Sequence, residues 1–217
     1  MTKFETAFIK LVNRITNDPI KVFDDALTYV LSRLSAGEVK VAWDYSEQQN
    51  QAFSDFMKTY LDYLCEQLEN HFWCDAWGDA FMDLAGKYKS FRGQFFTPPG
   101  VANLCAMTVS TFGELVFERE VINDCACGSA RMLLAAQEQA YKNGHRQPYL
   151  IGEDIDGMCC KMAAINLCVH GCRGEVIMHD TLKDPDGGTY GYIINEHLPI
   201  TTIRKSTNRF DFKKFQI

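Results

Sequence analysis

Three aspartates, Asp124, Asp154 and Asp180, each close a short apolar run at the point where the chain turns. Asp124 follows Val121-Ile122-Asn123, Asp154 follows Tyr149-Leu150-Ile151-Gly152-Glu153, and Asp180 follows Val176-Ile177-Met178-His179. After Asp124 comes a turn of small residues, Cys125-Ala126-Cys127-Gly128-Ser129-Ala130, and then an apolar helix carrying Met132, Leu133 and Leu134. A parallel α/β sheet places its ligand at the carboxyl ends of its strands. An acid at the second strand end can accept hydrogen bonds from both hydroxyls of a ribose. An acid after the first strand can hold an ammonium in a charge-assisted pair. Gly128 lets backbone approach a ligand closely, and the helix start offers free N–H groups. The sequence has no Gly-x-Gly-x-x-Gly, which fits a ligand without phosphates. Any one such acid reads equally as a solvated strand end; three at successive strand ends form a set.

The elements that must hold this set follow from periodicity. From Gly93 onward, strand and helix patterns alternate, which signals a parallel sheet. A helix opens at Pro98-Pro99-Gly100; strands fall at about 120–124, 149–154, 175–178 and 190–195, with helices at about 129–143 and 158–170. Gly187-Gly188 turns the chain into the last strand. Residues 1–90 read instead as helices with aromatic stripes: one from a Thr2/Glu5 capping box to the break at Asn17-Asp18-Pro19, one to Gly37, one from Ser46/Gln49, and one through Phe72, Trp77 and Leu84.

Composition bounds the partners. The 217 residues carry 22 basic and 28 acidic side chains, a net charge of −6, which does not suggest nucleic-acid binding on totals alone. Arg204, Lys205, Arg209, Lys213 and Lys214 make a basic tail, read first as a solvated terminus and second as a phosphate-contacting segment. Nine cysteines without an apolar leader or membrane-length run imply a soluble, cytoplasmic protein. Their spacing (Cys125/Cys127, Cys159-Cys160, Cys168/Cys172) makes no paired Cys-x-x-Cys knuckle, so no metal is expected and buried thiols are.

Gly93-Gln94-Phe95-Phe96-Thr97-Pro98, Asp124-Cys125-Ala126-Cys127-Gly128-Ser129-Ala130, and the acid closing the second strand occur in an order that resembles the N6-adenine DNA methyltransferases, above all the modification subunits of type I restriction systems. The resemblance covers roughly residues 75–195. It implies an α/β fold: a Rossmann-like S-adenosylmethionine-dependent methyltransferase core with a partial parallel sheet, spanning 91–217 and preceded by an α-helical domain at 1–90. It further implies S-adenosyl-L-methionine as cofactor, with Phe95 and Thr97 on its methionine part, Asp124 on its ammonium, Gly128 beneath it, Asp154 on its ribose (with Asp156 as a competitor) and Asp180 at its adenine amino group. From the residues alone, Thr97 is equally an N-cap before Pro98 and Phe95 equally a buried ring. DNA and other restriction-modification subunits are the implied partners.

The family's catalytic Asn-Pro-Pro-Tyr/Phe closes strand four; here that place holds Asn195-Glu196-His197-Leu198. Asn195 is thus the candidate catalytic residue, without the prolines that preset a carbonyl or the aromatic that stacks on a flipped base. The strand order implied is 3-2-1-4, with the outer edge of strand four covered by residues 198–217 or by another chain. Two functions follow: a DNA adenine-N6 methyltransferase, or a catalytically degenerate homologue that holds cofactor or nucleic acid as a partner or anti-restriction module. On either reading the isolated chain is expected to methylate DNA poorly.

Overall fold

The computed structural model of the chain describes residues 2–16, 18–87, 95–111, 121–144, 147–183, 190–197 and 202–206. Gly93, Gln94, the Gly187-Gly188 turn, Leu198 and the basic residues Arg209, Lys213 and Lys214 lie outside the described residues.

The N-terminal part is built from α1 (Lys3–Ile15), α2 (Pro19–Leu34), α3 (Glu47–Leu68) and α4 (Ala76–Lys87). Each starts where the sequence supplies an acceptor for first-turn N–H groups that have no partner within the helix. The Thr2 hydroxyl accepts from the Glu5 N–H while the Glu5 carboxylate accepts from the Thr2 N–H, and Ser46 and Gln49 repeat this box at α3. Asp18 accepts from the N–H groups of Ile20 and Lys21, with Pro19 in the first turn. The start of α4 falls later than its aromatic stripe suggests, because Asp75 takes the cap by accepting the Gly78 N–H at 2.7 Å. Trp77 then sits at the centre of the helical core, its ring 5.2–5.7 Å from those of Phe4, Phe23, Phe56 and Tyr60 in edge-on and tilted contacts.

Helix α5 (Pro99–Thr111) opens with the Pro98 carbonyl accepting from Val101 and Ala102, so the cap is Pro98 and not Thr97. A single sheet follows, with strands β1 (Val121–Asp124), β2 (Tyr149–Asp154), β3 (Arg173–Met178), β4 (Tyr190–Ile194) and β5 (Ile203–Ser206). Helix α6 (Arg131–Lys142) links β1 to β2, and α7 (Gly157–Val169) links β2 to β3. These crossovers make β1, β2 and β3 parallel neighbours. Leu150, Val176, Tyr192, Ile194 and Ile203 share one contiguous core with α7 and with the aromatic cluster of the N-terminal helices. Lys161 of α7 donates to Asp24 at 2.6 Å and to Thr28 at 3.0 Å, fastening α2 onto the sheet's helical layer.

The sheet order is β1-β2-β3-β4-β5, and β4 pairs with β3 in the antiparallel sense. This corrects the expected order 3-2-1-4, in which strand four lies beside strand one. The whole connection between β3 and β4 is residues 179–189. A parallel return past β1 needs a dozen or more residues, usually including a helix, so the chain folds straight back. Gly191 permits the close pairing, since a Cβ there would lie 2.3 Å from the Val176 carbonyl oxygen. β5 in turn pairs antiparallel with β4, so the C-terminal segment covers that edge as expected. Among the described residues, no strand pairs with the other edge of β1.

Candidate functional site

At the carboxyl edge of the parallel strands the turn after β1 folds over the end of β2. The Cys127 N–H donates to the Glu153 carbonyl at 2.9 Å, and the Gly128 N–H donates to Asp154 Oδ2 at 2.9 Å. Gly128 holds φ at +54° there, a left-handed angle that suits glycine. Asp154 Oδ1 accepts the Asp156 N–H at 2.9 Å, and Asp156 caps α7 through Met158 and Cys159. Asp124 accepts the Ala126 N–H at 3.2 Å. The Thr181 hydroxyl donates to the Cys125 carbonyl at 2.9 Å, which binds the turn after β3 to the turn after β1. Burial pushes the carboxyl groups of Asp154 and Asp124 above their ordinary value of 3.8, against the opposing pull of the N–H groups they accept; Asp154 adds to the rise at Asp124. At Asp180 the hydrogen bond from Lys183 pulls the carboxyl below that value.

The residues just before these acids point to the opposite face, as strand alternation requires. They are joined: Asn123 donates to Glu153 Oε1 at 2.8 Å, and the other Glu153 oxygen meets His179 Nε2. One chain of side-chain contacts thereby fixes the spacing of the three strand ends.

A second cluster anchors the turn from behind. Asp75 is 3% exposed and its Oδ2 accepts from the Ser129 hydroxyl and from Arg131 Nε, both at 2.5 Å. Its Oδ1 accepts from the Gly78 N–H and from Asn166 Nδ2, both at 2.7 Å. Asn166 also donates to the Ser129 carbonyl at 2.8 Å. Arg131 reaches on to Asp79 at 2.5 Å and to the Thr97 carbonyl at 3.3 Å, with its guanidinium 5.9 Å from the Phe96 ring. Burial alone would lower the Arg131 pKa, and the carboxylates of Asp75 and Asp79 outweigh it. Phe96 stacks on Phe81 at 5.1 Å and covers Gly128, where a Cβ would lie 3.0 Å from its ring.

The structure therefore brings Asp124, Gly128 and Asp154 together, with Asp180 in the adjoining turn tied on by Thr181. Thr97 enters through its carbonyl. Phe95 is 83% exposed and is no core ring; its neighbour Phe96 makes the contact with the turn. Asn195 is placed elsewhere. Its neighbour Ile194 pairs with Gly174 near the start of β3, so antiparallel β4 delivers Asn195 to the amino edge of the parallel strands, opposite the acids. There it is fully buried; its amide donates to the carbonyls of Cys168 at 3.1 Å and Cys172 at 2.7 Å, and its oxygen accepts the Thr202 N–H at 2.9 Å. The structure thus separates Asn195 from the three acids and places it where β4 ends, joined to Thr202 just ahead of β5.

Sequence reasoning missed Asp75, Arg131, Phe96, Ile155 and Leu182. Ile155 and Leu182 are 63% and 96% exposed and follow Asp154 and Asp180 closely, so they offer apolar surface beside two acids. Their signal was present as a large apolar residue at a turn that should be polar. Asp75 carried the signal of a helix cap, an acid just ahead of an apolar periodic run.

The edge fits a nucleoside carrying an ammonium. The Asp154 carboxylate accepts the Gly128 N–H on one oxygen and the Asp156 N–H on the other, and an ionised carboxylate has about four acceptor sites, so capacity for a further donor is left. Parallel strands joined by helices, with acids at consecutive strand ends, are the marks of a Rossmann-like nucleoside-binding fold. A putative class I S-adenosylmethionine-dependent methyltransferase from Listeria monocytogenes superposes with a TM-score of 0.54, over 83% of this chain and 52% of that one, at 16% identity. Residues 70–198 match the N-6 DNA Methylase family, and the chain belongs to it. Among its relatives are two methylase subunits of type I restriction enzymes from Methanocaldococcus jannaschii. The MjaIX subunit is 24% identical over 128 residues, covering 55% of this chain and 22% of the relative. The MjaVII subunit is 29% identical over 117 residues, covering 51% of this chain and 19% of the relative. The matched part thus spans about a fifth of each relative's length.

Proposed function

We propose that the carboxyl edge of β1–β3 binds S-adenosyl-L-methionine and that the chain supplies the cofactor-binding part of a DNA adenine-N6 methyltransferase of restriction-modification type. The observation that carries this reading is the convergence of Asp124, Gly128 and Asp154 through the Gly128–Asp154 hydrogen bond, in a chain of the N-6 DNA methylase family. Asp154 accepts the ribose hydroxyls, and Asp124 faces the ammonium of the methionine moiety. Ile155 and Leu182 flank the adenine ring, with Asp180 at its amino group. Phe95, exposed beside the turn, packs on the methionine part, and the Thr97 hydroxyl bonds it. Bound, the cofactor supplies a methyl group on a sulfonium, open to in-line displacement by an amine held about 3–3.5 Å away. In this reading residues 1–90 form the helical unit and 91–217 the cofactor unit, working in the cytoplasm with DNA and with further restriction-modification subunits as partners.

The place of Asn195 favours a second element of the reading. Its amide is committed to Cys168, Cys172 and Thr202 on the far edge, so it cannot accept a hydrogen bond from a target amine at the acids. The chain alone therefore holds cofactor and transfers little methyl, and the acceptor groups for the amine come from other residues or another subunit.

Calorimetric titration with S-adenosylmethionine tests the cofactor site. Asp154→Ala removes a charged acceptor and is expected to weaken binding by about 1.5–3 kcal/mol, the range for hydrogen bonds to charged groups. Absence of binding by the wild type at millimolar cofactor overturns the site. Tritiated methyl transfer to unmethylated genomic DNA tests the second element, and robust incorporation by the isolated chain overturns it.

A further inference from the structure

A helix cap needs one oxygen. Asp75 caps α4 with Oδ1, and its second oxygen leaves the helix altogether to accept from Ser129 and Arg131, on either side of Ala130. The surroundings are shaped for this: a Cβ on Gly78 would lie 2.0 Å from that second oxygen and 2.6 Å from the Ser129 hydroxyl. Ala130 holds φ at +74° and ψ at 23°, left-handed, and heads α6 without any side-chain cap. For a residue with a Cβ this conformation is strained and persists only where neighbours over-determine it. Here the neighbours are held on both sides: Ser129 by its hydroxyl and carbonyl through Asp75 and Asn166, Arg131 by Asp75 and Asp79.

We propose that Asp75 is a positioning residue for the cofactor edge: from the N-terminal helices, it clamps the Cys127–Arg131 turn in the left-handed shape that lets the Gly128 N–H reach Asp154, and through Arg131 it sets the Thr97 carbonyl beside it. The helical unit is then a working part of the cofactor site, and the clamp offsets the strain of an alanine where glycine would adopt the angle freely. The inference rests on the reading that this edge takes S-adenosylmethionine, and its test separates the two.

Asp75→Asn is the informative variant, because asparagine caps a helix as well as aspartate while its NH₂ would face the Ser129 and Arg131 donors. Two measurements are made on the 217-residue chain: titration with S-adenosylhomocysteine, and amide hydrogen exchange at Cys127, Gly128 and Ala130 without ligand. Asp75→Asn is expected to weaken binding about tenfold or more, the factor that 1.4 kcal/mol represents. It should also speed exchange at those three amides while leaving α1 and α3 as in the wild type. Adding Ala130→Gly should restore most of the lost affinity and protection in the Asp75→Asn background and change the wild type far less. That non-additivity is the mark of coupling rather than of general destabilisation. A folded Asp75→Asn protein with wild-type affinity and wild-type exchange in the turn overturns the proposal, as does a loss that Ala130→Gly leaves unrescued. If the wild type binds no ligand, the cofactor reading fails and the exchange measurement still decides the clamp. Should Asp75→Asn not fold, Ser129→Ala removes one donor to the second oxygen while keeping the α4 cap, and must show the same pattern at smaller size.

Discussion

Asn195→Ala separates a catalytic asparagine from a structural one. In the wild type the side chain is fully buried at φ +51° and satisfies the Cys172 carbonyl and the Thr202 N–H. The Cys168 carbonyl also accepts from Gly171, so it loses less. Alanine leaves two groups without these partners, at about 1–3 kcal/mol each, although part of this is recovered where the turn admits water. It also gives up the tolerance of asparagine for the left-handed region, since alanine keeps the β-carbon there with no side-chain hydrogen bond to offset the strain, at about 1 kcal/mol or more. The expected loss is about 3–5 kcal/mol, a large fraction of the roughly 5–15 kcal/mol that holds a domain folded. Asn195→Gly keeps the backbone angle and loses only the hydrogen bonds, so it should be less destabilised than alanine by about 1 kcal/mol. Urea denaturation reads the stabilities, and titration with S-adenosylhomocysteine on the folded fraction should give wild-type affinity. The reasoning is refuted if Asn195→Ala lies within about 0.5 kcal/mol of the wild type, the range of a neutral surface change, and yet loses methyl transfer to DNA.

Cofactor affinity should depend on pH through Asp124 and Asp154. Both sit above 3.8 in the free protein and bind the ligand as carboxylates, so binding releases protons; affinity is complete above their raised values and falls as pH drops through them. Titrations across the acid range check this, and an affinity that holds steady down to 3.8 contradicts it. Gly128→Ala combines a left-handed angle of +54° with a Cβ 3.0 Å from the Phe96 ring, so it should destabilise the turn by about 1–2 kcal/mol from the angle alone. The same variant should weaken cofactor binding by displacing the N–H that meets Asp154, read by denaturation and calorimetry together; wild-type values in both contradict the tight packing of Phe96 on this turn.

Local chemistry was legible and long-range choice was not. The two capping boxes, Thr2/Glu5 and Ser46/Gln49, are signals contained within four residues, and both formed. Alternating apolar strands and helices likewise fix β1, β2 and β3, because each connection carries a helix and is long enough to cross over to a parallel neighbour. The partner of β4 is a different kind of question. Its apolar run Tyr190–Ile194 suits either edge of the sheet. What decides is the length of residues 179–189 and the absence of a Cβ at Gly191, features that register as a plain loop and a plain glycine until the pairing is considered. With β4 on the far side, the motif position of Asn195 was preserved in sequence and lost in space.

The site divides along the same line. Asp124, Gly128 and Asp154 were readable because each lies at a strand end or its turn, and strand ends of a parallel sheet meet at one edge whatever the rest of the fold does. Asp75 lies 54 positions from Ser129 and 91 from Asn166, and in sequence it signals a helix cap and nothing of these partners. A second hint is Ala130, which holds a left-handed angle that favours glycine. In the structure it is a demand for restraint, and the restraint comes from a helix outside the sheet. A local rule broken at a functional turn is thus a reason to look for a distant residue that enforces it, and here that residue is a buried carboxylate whose second oxygen faces away from its own helix.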